Sequence, residues 1–218
     1  MARPEKPQRR QSPQLPSRRE DYRLLTTAEN LDDEPLDECL LAGVDGSSLH
    51  LRGLNVGASL FEGVSFANSD VVDARLRDTR FINCDLSNAV WRGFKAARVE
   101  FMDCRLTGFA APECRWQDVL IENCDGRYGQ FAQSRIQRSE IVGSSFVEAD
   151  FRGADFEATV FERASLIRAD LSRAKLRKTD LRGADLEGIT VLAEDVAGAI
   201  VSPSQAMDLA RLLGLEIR

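Results

Sequence analysis

The sequence predicts an all-β solenoid, a coil with few sides and a filled core, and three observations carry that expectation. From Asp150 to Leu186 a large apolar residue returns every fifth position, at Phe151, Phe156, Phe161, Leu166, Leu171, Leu176, Leu181 and Leu186. Five matches neither the helical period of 3.6 nor the strand period of two, so a long helix or an alternating strand would scatter these residues over several faces. The same register extends from Leu41 to Val201, and of its 33 positions only Gly46, Ala96, Ala111 and Gly126 are not large and apolar. The remaining positions keep the same period. Two residues before the apolar centre the side chain is small, as at Ala74, Cys84, Ala154 and Ala169, and ten of the fifteen glycines stand two residues after it. Residues two apart on an extended chain share a side, so centre and small residue both point inward, and the glycine position is a turn.

Each part of the chain takes its place around this repeat. Residues 1–23 hold Pro4, Pro7, Pro13 and Pro16 with seven Lys or Arg and almost nothing apolar. Too little burial is available there to offset the entropy of ordering, and a disordered basic tail is expected. The acidic run Glu29, Asp32, Asp33, Glu34, Asp37 and Glu38 is assigned to an irregular first turn of a repeat domain spanning 24–201. Within that domain, an outward Asp recurs between the two inward residues, at Asp70, Asp85, Asp150, Asp170 and Asp180.

Side-chain volumes indicate how many sides the coil has. If residues twenty apart stack, Trp91 lies on Ala111 and Ala96 beneath Trp116, while Phe94 and Phe109 fill the small positions directly before the two alanines. Conserved volume within a narrow core is what close packing requires. Between 90 and 130 the pattern is least regular, with Phe94, Phe109, Pro112 and Gly126 to Gly129, and a bulge, a projecting loop or a bent coil is expected there.

Residues 202–218 are expected to cover an open end of the rod. Ser202 serves as N-cap, Pro203 as the first helical residue and Gln205 as the capping-box partner. Ala206, Leu209, Ala210, Leu212 and Leu213 form an apolar face, and Gly214 stops the helix. This end is read as either an intramolecular cap or a homodimer interface.

The triplets Ala154-Asp155-Phe156, Ala169-Asp170-Leu171 and Ala184-Asp185-Leu186 match A(D/N)LXX, and over about residues 31–201 the chain resembles the pentapeptide-repeat family. The resemblance implies a right-handed quadrilateral parallel β-helix with four pentapeptides per coil. About eight coils spaced by about 4.8 Å make a rod roughly 40 Å long. It also implies a non-enzymatic, protein-binding role, the best-known version of which mimics duplex DNA and binds type II topoisomerases such as gyrase.

The chain's chemistry is otherwise sparse. Net charge is −6 over 218 residues, with 24 acids against 20 bases from 41 to 201, so any acidic stripe is local and a general nucleic-acid binder is not suggested. The alternatives to the protein-binding role are a generic scaffold and a nucleic-acid binder using a later basic belt, Arg163, Arg168, Arg173, Lys175, Arg177, Lys178 and Arg182, but the belt is interleaved with acids and reads more readily as an ion-paired surface. Cys39, Cys84, Cys104, Cys114 and Cys124 all fall on the small inward position and read as buried, reduced thiols. The single histidine, His50, points outward, and no catalytic, cofactor or metal constellation accompanies it. Neither a membrane-spanning run nor an apolar leader is visible, and a cytoplasmic address is expected. If the rod presents a surface to a protein partner, the irregular coils nominate Arg92, Arg115, Arg127 and Tyr128.

Overall fold

The computed structural model describes residues 10–28, 31–212, 214 and 216. Strand pairing is parallel throughout and, after a first pair whose partners are sixteen apart, joins residues twenty apart, so four pentapeptides make one coil. The strand Arg75–Ile82 pairs with Lys95–Met102, setting Leu76 beside Ala96 and Phe81 beside Phe101. Lys95–Met102 in turn pairs with Arg115–Gln117 and Leu120–Glu122. Isolated bridges at the same offset, such as Asp85 with Arg105 and Gln130 with Asp150, continue the stack where strands are too short to name. About eight such coils and a short C-terminal helix make up the rod, the all-β parallel helix that the five-residue period predicts.

The backbone reason for a corner in each pentapeptide is visible in its dihedral angles. Apart from Gly214, the residues with φ between about +44° and +81° all have numbers ending in 3 or 8, two after each centre. Asn68, Asn83, Asn88 and Asn123 take this left-handed conformation alongside glycines such as Gly53 and Gly143. The conformation is unfavourable for most L residues. Inter-coil hydrogen bonds offset it: the N–H groups of Gly53, Asp73 and Asn88 donate to the carbonyls of Val72, Arg92 and Thr107 at 2.8–2.9 Å. The outward Asp side chains fold back to close the same turns. Oδ1 of Asp85, Asp150 and Asp170 accepts the N–H two residues on, from Ser87, Arg152 and Ser172.

The core is filled along its length. Phe61, Phe81 and Phe101 stack at centroid distances of 4.7 and 4.9 Å. Trp91 and Trp116 are 0% and 2% exposed, with Trp116 paired to Ala96 as the twenty-residue offset predicts. Glycine at a centre has a comparable cause. A Cβ on Gly126 would overlap the ring of Phe146, one coil further on.

The irregular stretch from 90 to 130 contains neither the expected bulge nor a loop. Its coils stay in register, because Phe94 and Phe109 are wholly buried and take up the volume given up at Ala96 and Ala111. Register shifts appear instead between Val160–Ser165 and Asp180–Asp185.

The N-terminal segment also departs from expectation. Residues 1–9 of the expected tail lie outside the described residues, but 10–23 form a strap running back along the rod. Arg10, its side chain 9% exposed, bonds Glu100 at 3.0 Å and lies 3.7 Å from Glu140, on the coil two further on. The Gln11 and Gln14 amides donate to Asp118 and Asp78 at 3.4 and 3.0 Å, and Arg19 pairs with Glu62. Arg23–Leu25 then joins Cys39–Ala42 as the first paired strand. Charge and backbone hydrogen bonds order the segment, so its lack of apolar residues does not leave it disordered. Glu29 lies outside the described residues, while Asp32 accepts the Arg52 amide at 2.6 Å.

At the other end, Pro203–Leu212 is helical and the capping box is formed: Ser202 N–H donates to Gln205 Oε1 at 2.9 Å, and Gln205 N–H to Ser202 Oγ at 3.2 Å. The Gln205 amide also donates to the carbonyls of Leu181 and Ala184, so the helix caps open backbone of the last coil. Its apolar face is narrower than expected. Leu209 is buried, Ala206 and Leu212 are exposed, and Leu213 lies outside the described residues. No helix among the described residues is long and apolar enough to cross a membrane.

Candidate partner surface

The twenty-residue coil sorts every outward residue onto one of four faces, and the residues nominated from sequence divide among three of them. Arg92 flanks the centre Trp91 and pairs with Asp70 at 2.6 Å. Arg127 flanks Gly126 and forks onto its own Asp125 at 2.8 and 2.7 Å, beside Tyr128, which is half exposed at the corner. Arg115 flanks Trp116 on a third face. These four side chains do not form one site.

The core offers no chemistry in their place. All five cysteines are buried and free, and Cys84, Cys104 and Cys124 stack as a row, with the Cys104 amide donating to Cys124 Sγ at 3.3 Å. The thiol contact with Cys104, and then burial, pushes the Cys84 thiol far up. The contact with Cys124 is the main cause holding Cys104 at about 12, and burial, only partly offset by the Ser134 hydrogen bond, brings Cys114 to about 12. None of these three is a nucleophile near neutral pH. Among the described residues no group of His, Cys, Asp and Glu could hold a metal ion.

On the face carrying Arg115, however, the register assembles something the sequence reading passed over. Arg75, Lys95, Arg115 and Arg135 are successive partners across paired strands, four exposed cations in one row about 4.8 Å apart. None pairs with a carboxylate among the described residues, whereas the later basic belt is largely paired, Arg168 with Glu148, Arg177 with Glu157 and Arg182 with Asp180. The row borders an open groove of about 740 Å³ in which the outward Ala97 leaves space, while the Asp37 carboxylate lies over Gly57 at one end. Same-sign residues at a spacing of twenty were the available signal for it.

Three residues further along each coil, at the next corner, a second row has the opposite design. Asp78, Arg98, Asp118 and Arg138 alternate in sign. Arg98 grips Asp78 through two hydrogen bonds of 2.6 and 2.7 Å, and Arg138 reaches Asp118 at 3.1 Å. Burial pushes the Asp78 carboxyl up, but the Arg98 guanidinium and the Gln14 amide outweigh it and hold the group below the usual carboxylate range. This is the row the strap covers.

A parallel coil of five-residue units around a filled core defines a repeat rod. Two family models agree: "Pentapeptide repeat region" matches residues 74–151 and "Pentapeptide repeats (8 copies)" matches 149–188, together more than half of the chain. The chain belongs to the pentapeptide-repeat family. No curated protein matches it. Among solved structures it is similar to a trypsin-treated form of QnrB1, a plasmid-mediated fluoroquinolone resistance protein, at 22% identity and TM-score 0.39, covering 89% of this chain and 96% of that one. It is also similar to HetL, a protein involved in heterocyst differentiation regulation from the cyanobacterium Nostoc sp. strain PCC 7120, at 20% identity and TM-score 0.34, covering 76% and 78%.

Proposed function

We propose that this protein is a non-enzymatic, protein-binding rod. The observation that supports the reading is the row Arg75, Lys95, Arg115 and Arg135, left without carboxylate partners on a surface where most arginines have them. Neighbouring like charges across paired strands disfavour folding, so such a row is explained by what it binds rather than by what it holds together. The filled core supports the same reading, since it leaves no interior space for a substrate.

The narrower reading, a DNA mimic acting on a type II topoisomerase such as gyrase, calls for a continuous acidic row. The row Asp45, Asp85, Asp125 and Asp185 is broken by Ser65, Arg105, Ser145 and Ser165, and its carboxylates accept from their own turns. Purified gyrase assayed for supercoiling with and without a quinolone tests that version directly. For the broader reading, the immobilised rod and a Lys95→Glu/Arg115→Glu variant are compared for proteins retained from lysate at physiological salt. A protein retained by the first and lost by the second is the expected result. Equal retention, or none, overturns the role of this surface.

A further inference from the structure

We propose that the groove beside Arg75, Lys95, Arg115 and Arg135 receives an extended acidic segment of a protein partner, laid lengthwise along the rod. This rests on the protein-binding reading and adds the chemistry of the partner.

The geometry limits what can bind. The row has a definite length, since the next residue above Arg135 in register is Asp155 and the one below Arg75 is Asn55. Four rungs at about 4.8 Å span about 15 Å, the length of about five extended residues, with alternate side chains on one side. Two or three carboxylates on such a segment would meet the four cations, and charged hydrogen bonds to guanidinium groups are the strong ones. Arg77, on the other side of the groove, leans towards Asp78 at 3.6 Å and leaves the facing wall less charged than the row itself.

The rod already holds one extended segment of its own in a comparable way. On the adjoining corner the strap is an extended segment running lengthwise across the coils, held by charge complementarity and by its own amides rather than by apolar burial. There the segment brings cations to acidic positions. The neighbouring row asks for the reverse, carboxylates brought to cations.

A nucleic acid fits less well. The buried carboxylates Asp78, Asp118 and Glu100 stand on the corner and face next to the row, where a broad duplex would set its phosphates. Single strands gain much of their affinity from stacking on exposed aromatic rings, and the aromatic residue of this groove, Trp116, is 2% exposed.

The test measures binding of a fluorescein-labelled peptide of alternating Glu and Ser, nine residues long, to the full chain at low and physiological salt. A Lys-for-Glu peptide and a fifteen-nucleotide oligo-dT serve as comparison probes. Saturable binding of the Glu peptide, weakened by salt and lowered at least tenfold by Lys95→Glu/Arg115→Glu, is expected. Arg168→Glu/Arg177→Glu, on the paired belt, should change it less than twofold, and circular dichroism should show both variants folded. No binding of the Glu peptide, or binding indifferent to the row, overturns the proposal. So does tighter binding of oligo-dT through the same residues, which would make the groove a nucleic-acid site. If the peptide fails while a lysate protein is still captured through another face, the protein-binding reading stands and only this groove is rejected.

Discussion

Two charged rows run side by side along this rod and solve the same problem in opposite ways. In the row Asp78, Arg98, Asp118, Arg138 each charge meets its opposite in the neighbouring coil, and the strap adds amide donors to the two aspartates. In the row Arg75, Lys95, Arg115, Arg135 each charge meets its like and nothing covers them among the described residues. Register and spacing are the same, but the first row stands on left-handed corners with its aspartates buried, while the second stands exposed on extended strand. Position and side-chain sign together separate a row that supports folding from one that is available to a partner.

The shared core sets the largest effect. Phe151→Ala removes a ring that is 1% exposed, and should cost about 3–5 kcal/mol of stability by chemical denaturation. Strap docking and peptide binding should then weaken together near the melting transition. A variant that loses one while keeping the other would show that the two rows do not depend on a common scaffold.

Asp78→Ala should come next, at about 2–3 kcal/mol, because it strands the partly buried Arg98 and removes the acceptor for Gln14. Hydrogen exchange should show the Gln14 region opening while peptide binding by the folded protein stays within twofold. Loss of peptide binding in the folded variant would mean the rows are coupled.

Acid should produce a milder version of the same change. The Asp78 pKa is depressed in the folded chain, so its stabilisation is fully present above the ordinary Asp value of about 3.9 and is lost as pH falls below it. Protection of the Gln14 amide, corrected for intrinsic exchange, should fall as the pH is lowered below about 4. Constant protection across that window would contradict the assignment of Asp78 as the strap's anchor.

The smallest stability change is expected on the other row. Arg115→Glu puts an acid between Lys95 and Arg135, and should leave stability within about 0.5 kcal/mol of the original or raise it slightly. A loss well beyond that would mean the row contributes to folding after all.

The coil was legible from sequence because a period of five fixes the inward and outward side of every residue from Leu41 to Val201. The stacking of Trp116 on Ala96 followed from volume alone. The stretch from 90 to 130 looks irregular one pentapeptide at a time, whereas Phe94 and Phe109 compensate for Ala96 and Ala111 within the coil. The strap was illegible for a different reason. Its contacts join residues 43 to 130 apart, and two of them use backbone amides, which leave no mark in local composition. The basic row is written at a spacing of twenty, where it is less conspicuous in sequence than the denser cluster from Arg163 to Arg182, whose arginines the structure largely pairs with acids.

The route of the strap also has a mechanical side. Because it runs back across the coils, Arg10 sits near the middle of the rod while Arg23 joins its first strand. Tension applied at residue 10 would load the Arg10, Gln11, Gln14 and Arg19 contacts one after another, as a strip of tape is peeled, before any reached the coil. Tension applied through the C-terminal helix meets Gln205, whose one side chain holds two carbonyls of the last coil at once. The two ends of this rod should therefore yield in different ways, the first by stepwise peeling at low force and the second by a single break.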